Sequence, residues 1–300
     1  MIIRKTGAIT PELHVLGSID LPAFLLDAKR PVLIDAGMTL MGKKYIREAR
    51  ELLDGQRPGY LFLTHVHYDH CGAASVLKQA FPEIKICCSG EGAGVLERPR
   101  AIETIKTLNR SAAEYFAEIG EEIPDAAEFE PFAVDHTLAD GETVELGPDL
   151  SFRAIATPGH TRDSMSFYVP EKKMLFTGEA LGIMDPSGYI FSEWLSDYHQ
   201  YFASMKKLTS LDVDILCPGH GHVFTGKDAA DYMTRAIEYG TWFRELIEET
   251  LEETRGNVET AKQRIKQKEY DPVPEPKQPE FAYMLNLEAK IRAVQNIASN

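Results

Sequence analysis

The sequence predicts an α/β fold: one sandwich of two β-rich halves with helices outside. Three observations carry this expectation. Short apolar runs bounded by turn residues recur in residues 12–88 and again in residues 142–219. Polar, histidine-bearing or acidic turns repeatedly follow those runs, as where strands of a layered fold end in loops. From Asp228 onward the apolar spacing changes to a helical period. No clear linker separates the halves.

The elements follow in order. Residues 12–16, 23–27 and 31–35 read as brief strands, and Asp35-Ala36-Gly37 turns after the third. A helix follows over about 43–53. Residues 59–64 hold Tyr60, Leu61, Phe62 and Leu63, a near-continuous apolar run suited to a strand covered on both faces. Residues 73–80 read as a helix and 85–88 as the next strand. The span 91–136 is less periodic; residues 101–116 read as helix, with an extension toward Gly120. In the second half, residues 152–157, 164–169 and 173–177 read as strands, and 208–219 repeats the pattern. The tail places Met233, Ile237, Gly240, Phe243, Ile247 and Leu251 on one helical face over 228–251. Gly256 interrupts it, and Val258, Ala261 and Ile265 start a shorter helix. Pro272, Pro274, Pro276 and Pro279 make an extended connection before a last helix through Met284, Leu287, Ile291, Val294 and Ala298.

Composition narrows the function. The chain has 300 residues, room for one large domain or two modest ones. Hydrophobic residues at 44% and charged residues at 26% exclude wholesale disorder, collagen and a full-length coiled coil. The net charge of −14 argues against a nucleic-acid or anionic-membrane partner. No apolar run is long enough for a transmembrane helix. The polar N-terminus lacks a signal-peptide core, and four cysteines make no disulfide scaffold, so a reducing cytoplasm is the expected location.

The nine histidines are unevenly placed. Five sit in three short segments: His65, His67 and His70 in Thr-His-Val-His-Tyr-Asp-His, His160 in Pro-Gly-His, and His220 in a second Pro-Gly-His. On an extended or turning backbone, His65 and His67 can face one point. Asp69 and His70 follow on the bend into the next helix. Imidazole and carboxylate are natural ligands for zinc, iron or manganese. Four candidate ligands in six residues crowd a single tetrahedral ion and invite a pair.

This segment, with Thr157-Pro-Gly-His160-Thr, Thr177-Gly-Glu179-Ala and Cys217-Pro-Gly-His220-Gly, resembles the metallo-β-lactamase superfamily of hydrolases over about residues 1–226. The resemblance implies an αβ/βα four-layer sandwich with a two-metal site at one sheet edge. It assigns His65, His67 and His160 to one ion and Asp69, His70 and His220 to the other. Glu179 stands where the family usually has a bridging aspartate. The cofactor expected is two divalent ions, zinc foremost, with iron or manganese as alternatives. They would acidify a shared water, whose hydroxide attacks a carbonyl while Asp69 orients it. The family's oxygen-reducing diiron flavoproteins typically carry glutamate at the position of His67, so histidine there favours hydrolysis.

The expected substrate is a small acyl compound, a thioester such as an acyl-coenzyme A. Complete sandwich plus C-terminal helices resembles family thioesterases whose helices narrow the entrance. A lactone hydrolase and a diiron redox or oxygen-sensing protein are the alternatives. Residues 1–226 are read as the catalytic unit and 227–300 as a helical extension, a cap over the site or a homodimer surface. His222 is read as an ordinary loop histidine, with a ligand or substrate-binding role as the alternative; His199 is read as packing, His14 and His136 have no metal-like neighbours, and Cys71 is read as buried packing. Met184, Tyr189, Phe191 and Trp194, with Trp242 and Phe243, are either core or the lining of an acyl pocket. Lys43, Lys44 and Arg47 form a candidate basic patch for coenzyme A, or simply a solvated helix face.

Overall fold

The computed structural model describes residues 1–118, 128–185, 187–274 and 277–298. Two strands too short for the sequence pattern to reveal open the chain, β1 (Ile2–Ile3) and β2 (Gly7–Ala8). The three expected strands follow as β3 (Leu13–Gly17), β4 (Pro22–Leu26) and β5 (Val32–Ile34). Helix α1 (Gly42–Leu53) ends where Asp54 turns left-handed. Next come β6 (Tyr60–Phe62), the single-turn helix α2 (Tyr68–Cys71), α3 (Ala74–Ala80) and β7 (Lys85–Ser89). Helices α4 (Gly90–Leu96) and α5 (Pro99–Glu118) lead away; the expected extension toward Gly120 lies outside the described residues.

The second half begins with β8 (His136–Leu138), β9 (Thr143–Gly147), β10 (Leu150–Ala156), β11 (Met165–Val169) and β12 (Met174–Gly178). A small hairpin, β13 (Ile183–Met184) and β14 (Ile190–Phe191), precedes α6 (Tyr198–Thr209). The Asp197 side chain caps α6 by accepting from the Gln200 amide. Strand β15 (Ile215–Pro218) corrects the longer run expected over 208–219: Leu208 belongs to the last turn of α6, and its apolar side chain fills a helical face. Strand β16 (Val223–Thr225) and helices α7 (Lys227–Glu253), α8 (Val258–Glu269) and α9 (Glu280–Ala298) finish the chain. Among the described residues no helix is long and apolar enough to cross a membrane.

Among the described residues, fourteen strands form two seven-stranded sheets, and β13 and β14 pair separately. One has the order β2-β3-β4-β5-β6-β7-β8, the other β1-β16-β15-β12-β11-β10-β9. Strands β5 to β8 run parallel, which demands crossovers and brings helices onto that sheet's outer face. The two inner faces meet in one core of Phe24, Phe62, Phe152, Phe167 and Phe176 with aliphatic neighbours. The outer face of the first sheet is covered through Tyr45, Leu77 and Ile105 of α1, α3 and α5. The outer face of the second is covered by α6 to α9. The result is the expected α/β four-layer sandwich, with the C-terminal helices packed onto it.

This burial explains the apolar runs. Phe62 points between the sheets, while Leu61 and Leu63 point at the helices. In β12, Met174 and Phe176 face inward and Leu175 faces outward. Both faces are dry, so the period-2 signal disappears from the sequence.

Candidate metal centre

Strand β6 ends at Phe62, and five residues outside any strand or helix lead into the turn of α2. His65 and His67 lie on this stretch; Asp69 and His70 lie on α2. His160 follows β10, Glu179 directly follows β12, and His220 follows β15. All seven come from one end of the two sheets and meet in one place. Their donor atoms form two groups, His65–His67–His160–Glu179 and Asp69–His70–His220, the atoms within each lying no more than 4.8 Å apart.

Glu179 sits between the groups. Its Oε1 lies 3.7 Å from His65 Nε2 and 3.3 Å from His160 Nε2 on one side. The same oxygen lies 3.4 Å from His70 Nε2 and 3.6 Å from His220 Nε2 on the other. Asp69 Oδ2 is 3.6 Å from His220 Nε2 and remains partly open to solvent.

The far side of each ring is tied down. His160 Nδ1–H donates to the Glu193 carbonyl at 2.7 Å, and His220 Nδ1–H donates to the Asp20 carbonyl at 2.7 Å. His70 Nδ1 donates to the Asp35 carboxylate at 2.9 Å. Thr64 Oγ1 gives its hydrogen to Asp35, so at 3.1 Å it accepts from His65 Nδ1. A neutral ring that donates from Nδ1 presents Nε2 as a lone pair. Four Nε2 atoms therefore converge, each a lone pair whenever its ring is neutral. His70 Nε2 and His220 Nε2 stand only 3.1 Å apart, and buried His65 Nε2 has no hydrogen-bond partner among the described residues. Facing lone pairs repel unless a cation or proton lies between them, so this donor set fits divalent metal.

The backbone is shaped to allow the approach. Gly178 has φ 52°, and a Cβ there would meet Thr64 Oγ1 at 2.8 Å. Gly159, with φ 135°, lets the His160 turn press onto the Tyr201 backbone, which a Cβ would meet at 2.3 Å. Asp163, unmarked by any motif, holds the Val66 amide at 2.9 Å and so fixes the first histidine loop against the second half.

A family model described as the metallo-β-lactamase superfamily matches residues 22–220. The chain belongs to the metallo-β-lactamase superfamily. It is 26% identical over 163 residues to the atrochrysone carboxyl ACP thioesterase of Aspergillus fumigatus, a match covering 54% of this chain and 38% of that protein. It is 29% identical over 234 residues to the acyl-coenzyme A thioesterase MBLAC2 of Gallus gallus, covering 70% and 76% respectively. The matched stretch is thus well under half of the first relative's length and about three quarters of the second's. An archaeal superfamily protein from Sulfolobus tokodaii has the same fold, at TM-score 0.60 and 18% identity over 99% of this chain and 98% of its own.

In this metallo-β-lactamase site the metal-free electrostatics divide by partner. Burial pushes His65 well below the usual histidine range, and neighbouring imidazoles push it further. Burial likewise lowers His67, to about 4. Burial opposes the charge on His70 too, but the Asp35 carboxylate outweighs it and holds that ring well above its ordinary value. Burial would raise Glu179; the surrounding imidazoles, His160 first, hold it well below the carboxylate range instead.

The remaining candidates separate. His222 lies outside the cluster, buried, with its Nε2 accepting from Arg4 at 2.8 Å. His199 is exposed on α6, which corrects the expectation that it packs: its side chain leaves the helix on the solvent face. Cys71 is buried packing, and all four cysteines are buried free thiols. Met184, Phe191, Trp194 and Phe243 are core. Tyr189 and Trp242 instead line a cavity of about 550 Å³ between the hairpin and α7 and α8. Lys43, Arg47 and Arg50 line a second surface hollow of about 450 Å³. Asp35, Asp163, Glu193 and Tyr201 support the site without a sequence motif for that role; only the Asp35 turn had stood out.

Proposed function

We propose that the chain is a metal-dependent thioester hydrolase acting on an acyl-coenzyme A-like substrate. One observation carries the reaction type: a single Glu179 oxygen lies within 3.7 Å of four imidazole nitrogens drawn from three separate strand ends. His65, His67 and His160 would hold one divalent ion and Asp69, His70 and His220 the other, with Glu179 reaching both. When bound, two such ions, zinc foremost and iron or manganese otherwise, supply Lewis acidity and a water acidified to near-neutral pH. The extra methylene of Glu179 lets its carboxylate extend to the midpoint from the tight Gly178 turn.

The chain's residues do the positioning. Asp69 is the partly exposed carboxylate at the mouth, placed to accept a hydrogen bond from the attacking water and orient it. Asp35, Glu193 and Asp20 hold three rings in the tautomer that leaves Nε2 free. A thiol has a pKa near 8.5, so a thiolate departs with little proton assistance. An amide nitrogen needs a dedicated acid. Two thioesterases among the relatives support the same leaving group. Four buried free thiols suit a reducing compartment such as the cytoplasm.

The test is a substrate panel on metal-loaded protein: acyl-coenzyme A, acylglutathione and lactones of matched acyl length. Acyl-coenzyme A is expected to give the highest kcat/KM, by at least ten-fold. A preference for lactones would make the protein a lactonase, and oxygen reduction by an iron-loaded form without hydrolysis would make it a redox protein.

A further inference from the structure

Lys290 of α9 is almost fully buried, and so is Glu193, which follows β14. Lys290 Nζ lies 2.9 Å from Glu193 Oε1, and Asn286 Nδ2 donates to Oε2 at 3.3 Å. Trp194 Nε1 donates to the Lys290 carbonyl at 3.3 Å, so the contact continues along the backbone. Both Glu193 carboxylate oxygens are thus held by the C-terminal helix. Its main chain faces the opposite way: the amide donates to Tyr201 Oη at 3.1 Å, and the carbonyl accepts from His160 Nδ1 at 2.7 Å. Tyr201 in turn donates to the Glu179 carbonyl at 3.2 Å.

A buried ion pair is a poor source of stability, because desolvating both charges offsets their attraction. An apolar pair of equal size would pack at least as well. What this pair does supply is a fixed position for Glu193. That position sets the acceptor for His160 Nδ1, and the acceptor sets the tautomer and the direction of the ring.

We propose that Lys290 is a positioning residue for the metal centre: it anchors Glu193, and the Glu193 carbonyl orients His160. The inference rests on reading His160 as a metal ligand. The helical extension thereby acts on one of the two ion positions through a contact that spans 97 residues of chain, from Lys290 to Glu193. Without Lys290 the carboxylate has no buried cation partner at this contact, and Glu193 moves toward water with its carbonyl.

The test is cobalt(II) titration against a competing chelator, with optical spectra, on the full chain and two variants. Lys290→Met is expected to weaken one ion by at least ten-fold and shift its d–d bands, with the other ion within two-fold. Leu287→Ala, a fully buried apolar position on the same helix, is expected to lower the melting temperature yet leave both affinities within two-fold. If Lys290→Met does not fold, Glu193→Gln is titrated instead and is expected to weaken the same ion. Unchanged binding in the folded charge variant overturns the proposal, and so does equal metal loss in Leu287→Ala. An unaltered protein that takes up no ion overturns the metal reading itself, a separate outcome.

Discussion

Asp35 has φ 59°, a left-handed conformation that costs an ordinary residue energy, and it is buried at the end of β5. Its carboxylate accepts from the Thr64 amide at 2.7 Å, the Thr64 hydroxyl and His70 Nδ1. Strain held against three hydrogen bonds marks a residue kept for geometry. Asp35→Asn keeps the size and the left-handed tolerance but brings an amide whose NH2 opposes the His70 N–H or a Thr64 donor. The expected result is about 10–100-fold weaker binding of the ion on the His70 side, with a stability loss of about 1–3 kcal/mol. Chelator competition and urea denaturation measure the two effects. The histidines that converge were legible because they sit in contiguous motifs after strand runs. Glu193 and Asp163 were not, because each acts through a partner 33 to 97 residues away. A lone acidic residue in a sequence carries no sign of what its carbonyl or carboxylate will meet.

At the scale of elements, the expected strands and helices formed with shifts of one or two residues where apolar runs had clear turn residues on both sides. The failures have physical causes. Strands β1 and β2 are two residues long and have no periodicity to read. Leu208 looked like the start of a strand because one apolar residue beside a turn fits either period. The double-faced burial of β6 makes a direct prediction. Phe62 stacks on Phe152 at 4.7 Å and lies 5.3 Å from Phe167, so Phe62→Ala opens a cavity between the sheets. Equilibrium unfolding should show a loss of about 3–5 kcal/mol; under 1 kcal/mol would contradict the inward orientation. A second prediction concerns α8. Glu269 is buried, and although Lys290 and the hydroxyls of Tyr189 and Tyr283 favour its charge, burial dominates and raises its pKa. A carboxyl raised on folding contributes stability below its unfolded value near 4.5 and loses it as pH rises through the folded value. Glu269→Gln is therefore expected to raise Tm at pH 8, with the gain vanishing as pH falls toward 4.5. Thermal melts across that range decide it.

At the scale of the whole molecule, the two halves share a core and both contribute residues to the candidate metal centre, so removal of a bound metal should be felt globally. With free metal at 100 times its Kd, binding contributes about 2.7 kcal/mol. At about 2–4 °C per kcal/mol for a chain of this class, exhaustive chelation should lower Tm by roughly 5–10 °C, and re-addition of metal should restore it. The C-terminal helices bear on the same question. They were read from the sequence as an extension beyond residue 226, and the structure packs them into the outer core of the second sheet. Phe224 meets Tyr232 at 4.4 Å, Trp194 meets Phe243 at 5.4 Å, and Phe191 meets Tyr283 at 6.2 Å. A chain ended after Gly226 would expose Phe191, Trp194 and Phe224 together. At about 1.5–3 kcal/mol for each large side chain, that is roughly the whole net stability of a domain, about 5–15 kcal/mol. Residues 1–226 alone are thus expected to aggregate or to bind a hydrophobic dye, by size-exclusion chromatography and dye fluorescence. A soluble, dye-negative monomer of 1–226 would show that the sandwich stands alone and that the helices are an accessory. The packing argues the reverse, because Phe191, Trp194 and Phe224 each pack against an aromatic ring of α7 or α9.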